Sequence, residues 1–219
     1  MLEAPYEVAD PKKWFELFRA EFIEAAKDKS TEIGIHYDKW RIQESEDFEP
    51  EWTDVMAVFL SKLARKMACY QEWRDVMLGG NVDYVWYLEH SLAKVVVIEH
   101  ENNFRTIREN EIRNLLESKI PLRVLLTYVY VPPKERARIR KESKKSNSEI
   151  TQDCRDIILS DSREEIIERL VPQGSGELQL DVSTGNRFMI VIGGELEKYN
   201  EWWAYEFDFP ARRWILIEV

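Results

Sequence analysis

Three carboxylates stand inside otherwise apolar runs of this chain, at a spacing suited to holding a cation. Residues 82 to 88, VDYVWYL, are β-branched and aromatic, and residues 94 to 101, KVVVIEHE, form a nearly unbroken aliphatic strand that ends in acid. A strand this apolar is normally buried on both faces, so Glu99 needs a counter-charge, a hydrogen-bond network, a metal ion or an exit to solvent. Side chains alternate along a strand, which sets Glu99 and Glu101 on one face, about 6.5 to 7 Å apart at Cα, and turns His100 to the other. With Asp83 approaching from the adjacent strand, the cluster repels itself unless a divalent cation sits in it. The alternative is that Glu99 and Glu101 emerge into solvent while Asp83 caps, or pairs with an arginine such as Arg74.

The elements that must position these acids follow from periodicity. Residues 11 to 28 read as an amphipathic helix, with Asp10 as cap, Pro11 at the first helical position, and Trp14, Phe15, Phe18 and Phe22 on the apolar stripe. A second helical pattern runs from 51 to about 77, carries Cys69 and Glu72, and stops at Gly79-Gly80. Ile33, Ile35 and Tyr37 could alternate as a short strand, with His36 an ordinary histidine. Only about five residues separate the runs 82 to 88 and 94 to 101, so they should form an antiparallel hairpin. Residues 104 to 119 are amphipathic again and lead to a buried-looking strand at 122 to 130, which should lie parallel to 94 to 101 through a crossover. A short helix is expected at 161 to 171, packed on the strand 122 to 130. Short β runs follow at 177 to 182, 187 to 192, 202 to 209 and 213 to 219.

The order of helix with Glu72, strand with Asp83, strand ending Glu99-x-Glu101, amphipathic helix and strand resembles the PD-(D/E)XK nuclease superfamily, over roughly residues 50 to 131. That resemblance implies an α/β (α+β) restriction-endonuclease-like mixed sheet flanked by helices. It also implies Asp83 and Glu99 as ligands of Mg²⁺ or Mn²⁺, and Glu72 as a supporting acid on the preceding helix. Glu101 takes the place of the family's usual lysine, as it does in some members, and Val82 stands where proline commonly precedes the aspartate. Neither Lys94, of opposite parity to Glu99, nor Lys119, at the far end of the helix, is a convincing substitute for that lysine. The implied reaction is Mg²⁺-dependent hydrolysis of DNA phosphodiester bonds by direct attack of water.

The 219 residues fit a core at 1 to 172 with a C-terminal antiparallel β extension at 173 to 219. A formal charge of −10 works against broad phosphate contact, so a nucleic acid would be held by a local basic surface. The run from 134 to 145, with Arg136, Arg138, Arg140 and Lys141, is the candidate; the bland reading of it is a solvated loop or helix start. Trp202, Trp203, Tyr205 and Trp214 read as core or cross-strand pairs rather than a base-stacking platform. Two cysteines, Cys69 and Cys154, give neither a disulfide framework nor metal-ligand spacing. No apolar run spans a bilayer and the start lacks a secretion signal, so a cytoplasmic location without membrane contact is expected. A homodimer is an open alternative, since the sequence does not set the oligomeric state. The competing function is a non-catalytic protein of the same fold that binds a protein partner; a carbohydrate-active carboxylate pair has no placement across a sugar.

Overall fold

The computed structural model describes residues 8–28, 30–31, 33–34, 49–73, 82–101, 111–129, 133–170, 186–194 and 201–219. Seven strands form one mixed sheet in sequence order: β1 (Cys69–Trp73), β2 (Tyr84–Leu88), β3 (Lys94–Glu101), β4 (Leu122–Tyr128), β5 (Arg187–Gly193), β6 (Trp202–Asp208) and β7 (Arg213–Leu216). The expected hairpin is present, with β2 antiparallel to β3, and β4 runs parallel to β3 across the crossover. The C-terminal strands do form an antiparallel run, and they extend the same sheet, because β5 lies parallel beside β4 and precedes β6 and β7. Central β4 is buried along its whole length, as a strand covered on both faces must be.

Alternating side chains split the sheet between two cores. One face, with Tyr84, Trp86, Val96, Ile98, Val124 and Leu126, packs under helix α1 (Pro11–Lys27) and helix α2 (Glu49–Lys66). Helix α1 begins as its sequence requires: Asp10 accepts from the backbone N–H of Lys13 at 3.0 Å, and Pro11 occupies the first turn. Its aromatic stripe meets the sheet through Trp14 against Trp86, with ring centroids 5.7 Å apart, and Phe18 against Trp202 at 4.9 Å. Trp202 and Tyr205 are buried, and Trp203 and Trp214 are half-buried, so these rings are core and cross-strand packing, as expected. The opposite face, with Val85, Val97, Leu125, Phe188 and Ile190, lies under helix α3 (Glu111–Glu117) and helix α5 (Asn147–Leu170).

The chain departs from the sequence reading in its helices. The helix expected over 51 to 77 ends at Lys66, where Ala68 takes a left-handed φ of 53° and redirects the chain into β1. Tertiary contacts decide this: Gln71 donates to the Ala57 carbonyl at 3.1 Å and accepts from Trp86 Nε1 at 2.9 Å, while Tyr70 stacks on Tyr87 at 5.0 Å. Cys69 and Glu72 are therefore strand residues, and Cys69 is buried, its thiol pushed up to about 12 by that burial. The short helix expected at 161 to 171 is the end of a longer one, α5, which packs mainly against α3, β7 and helix α4 (Pro133–Ser143). Ile33 and Gly34 are helical rather than extended. His36, Arg74, the start of the helix expected at 104 and the strand expected at 177 to 182 lie outside the described residues.

Candidate functional site

Register brings two of the acids together. Tyr84 pairs with Ile98 in the antiparallel β2–β3 ladder, so Asp83, one position earlier, falls opposite Glu99, one position later, on the face shared with Val85 and Val97. Asp83 is fixed to β3 by its own carboxylate, which accepts from the backbone N–H of His100 at 2.8 Å. Glu99 is 2% exposed and accepts from Asn114 Nδ2 of α3 at 3.0 Å. Its side chain also interacts directly with that of Asp83.

Burial pushes the Glu99 carboxyl up to about 9, and the charges of Asp83 and, more weakly, Glu111 act in the same direction against the opposing Asn114 hydrogen bond. At neutral pH the pair therefore holds a proton. A buried carboxylate pair that holds a proton is also one that a divalent cation can occupy in its place. Among the described residues no three of His, Cys, Asp and Glu are grouped to hold a metal ion. Two carboxylates are nevertheless the usual protein share of a Mg²⁺ shell, whose other positions go to water and phosphate. By that test the residues present fit a Mg²⁺ or Mn²⁺ ion.

The remaining sequence candidates are placed unevenly. Glu101 follows Glu99 on the same face and is half-buried at the end of β3, where its carbonyl accepts from Thr127 Oγ1 at 2.9 Å. Glu72, expected on a helix leaning over the site, is instead exposed on outer strand β1, opposite Val85 and separated from the Glu99 strand by β2. His100 turns away from the acids, as alternation requires. Its Nε2 meets Tyr128 Oη at 2.9 Å, and burial presses the imidazole down to about 3, so it stays neutral. The basic run forms α4, on which Arg138, Arg140 and Lys141 are exposed; Arg136 belongs to the same helix, its side chain outside the described residues.

Three further polar residues of this face escaped the sequence reading. Glu111 and Asn114 lie one turn apart on α3, whose Ile112, Leu115 and Leu116 pack inward, and Glu111 Oε2 is buried without a hydrogen-bond partner among the described residues. Their signal was an acid and an amide at i, i+3 in the helix that follows an acid-ending strand. The third is Arg123, buried on β4 beside Val97, with its Nε unpartnered among the described residues and its guanidinium pressed down to about 10 by burial. No helix among the described residues is long and apolar enough to cross a membrane. Comparison with protein-family profiles, with curated proteins and with solved structures found no match for the chain.

Proposed function

We propose that this chain is a divalent-metal-dependent nuclease of the restriction-endonuclease-like kind, hydrolysing DNA phosphodiester bonds by direct attack of water. The observation that carries the reading is the buried pair Asp83 and Glu99, two interacting carboxyls at a strand end whose ionised forms are incompatible without a cation. The order of helix, three-strand antiparallel run, helix and parallel strand supports it. Asp83 and Glu99 would hold Mg²⁺ or Mn²⁺, with Asn114 orienting Glu99 and the His100 backbone N–H orienting Asp83. When bound, such an ion lowers the pKa of a water toward neutrality and offsets charge on the scissile phosphate. Glu101, in the place of the usual lysine, would accept a proton from the attacking water rather than supply positive charge, and exposed Arg138, Arg140 and Lys141 would hold the phosphate backbone.

The test is cleavage of single- and double-stranded DNA with Mg²⁺, Mn²⁺ or EDTA, by wild type, Asp83→Asn and Glu99→Gln. Metal-dependent cleavage lost in both variants, with unchanged circular dichroism, supports the reading. A second reading, a non-catalytic partner-binding protein of the same fold, is favoured by the glutamate at 101 and by the two-acid rather than three-acid cluster. Absence of both cleavage and salt-sensitive DNA binding in the wild type selects it.

A further inference from the structure

We propose that Glu111 is a positioning residue of the Asp83–Glu99 centre, one that holds the waters of a bound Mg²⁺ or Mn²⁺ ion rather than the ion itself. That role presupposes the pair as the metal site. Helix α3 packs on both β3 and β4, and its carboxyl end at Glu117 leads directly into the start of β4 at Leu122. Its amino end therefore lies toward the carboxyl ends of these parallel strands, where Glu99 and Glu101 stand. Asn114 is level with Glu99 and donates to Glu99 Oε1 at 3.0 Å. Glu111 precedes Asn114 by three residues, so it lies on the same helix face about 4.5 Å farther toward the strand ends, with about 5–6 Å between the two Cβ atoms.

The two glutamates of α3 are treated differently. Glu117 is exposed and accepts from Arg113 Nε at 2.8 Å, an ordinary surface pair one turn apart. Glu111 has one oxygen, Oε2, that is buried and accepts no hydrogen bond among the described residues. A carboxylate oxygen taken out of bulk water without a donor costs free energy, and the charge of Glu111 also opposes ionisation of Glu99. The metal-free protein therefore gains little from this acid. A hydrated cation at the pair supplies what Glu111 lacks, a positive charge and polarised O–H donors, because Mg²⁺ held by one or two carboxylates keeps several of its waters. Among the described residues no three acids are grouped to hold one ion directly, so Glu111 stands outside direct coordination, and its spacing from Asn114 sets it about one water away. Groups that hold a metal's waters or ligands in this way tune its affinity without touching it.

Titration of metal-free wild type, Asp83→Asn and Glu111→Ala with Mn²⁺ tests this, with free Mn²⁺ followed by electron paramagnetic resonance and the waters on bound Mn²⁺ by solvent proton relaxation. Glu111→Ala should weaken Mn²⁺ binding about ten-fold or more. The number of waters on the bound ion should stay as in wild type, because no ligand bond is lost. In EDTA the melting temperature of Glu111→Ala should lie above that of wild type or within about 2 °C of it, the size of one charge at a helix end. If Glu111→Ala binds Mn²⁺ as tightly as wild type while Asp83→Asn does not bind, the role of Glu111 fails and the metal site stands. An added water on the bound ion, which would make Glu111 a direct ligand, also overturns the role. So does a larger fall in metal-free melting temperature, which would make it a structural residue. A wild type that binds no Mn²⁺, or an Asp83→Asn that binds it equally well, overturns the metal site and the role of Glu111 with it.

Discussion

Replacing Glu99 with glutamine should stabilise the metal-free protein, and the gain should grow with pH. The folded-state carboxyl sits near 9 and its ordinary value is 4.5, so at pH 7 the native protein keeps a proton that the unfolded chain has released. Stability from this group is fully present below about 4.5 and is lost as pH rises toward about 9. At roughly 1.4 kcal/mol per pH unit, holding the proton costs about 3 kcal/mol at pH 7, an upper bound that relaxation around the Asp83 end reduces. Glutamine carries no such cost and still offers Oε1 to Asn114 Nδ2. The expected difference at pH 7 is about 1–3 kcal/mol, or roughly 2–12 °C in melting temperature for a chain of this size. Urea unfolding in EDTA from pH 5 to 9 measures it. A pH-independent difference, or a wild type that is more stable than the variant at pH 8, would refute the proton-holding pair.

Other sites give independent outcomes. A Cβ added at Gly193 would lie 2.7 Å from Tyr128 Cδ1 and 3.1 Å from the Trp202 ring, so Gly193→Ala should destabilise by about 1–3 kcal/mol in denaturant unfolding. Arg123→Met should raise stability by about 1–4 kcal/mol, since it removes a buried cation whose Nε has no partner among the described residues; a loss would show that the guanidinium is satisfied. Charge reversal of Arg138, Arg140 and Lys141 should weaken DNA binding and flatten its dependence on salt, while unfolding stays unchanged because all three side chains are exposed.

The sheet around the acids was legible because short-range rules govern it. The five-residue break between the two runs forces a hairpin, a helix between strands forces a parallel neighbour, and alternation separates His100 from Glu99. Strand β1 was not legible, since Cys69 to Trp73 continues an amphipathic helical pattern and becomes a strand only through distant partners, Gln71 with Ala57 and Tyr70 with Tyr87. Glu72 was misplaced with it. The length of α5 was hidden by its weak amphipathicity, because its surroundings include Trp203 stacked on Arg155 and Trp214 bonded to the Leu159 carbonyl, contacts no periodicity encodes. Asn114 and Glu111 were within reach of the sequence, but which face of a crossover helix meets the strand end depends on where that helix begins.

Calorimetric titration of metal-free protein with Mn²⁺ at pH 7, repeated in buffers of different ionisation enthalpy, tests the Asp83–Glu99 centre most directly. Saturable binding is expected at that pair, lost in Asp83→Asn and in Glu99→Gln, with release of close to one proton as the ion displaces the one held by Glu99. Absence of binding, or binding that both variants retain, would contradict it.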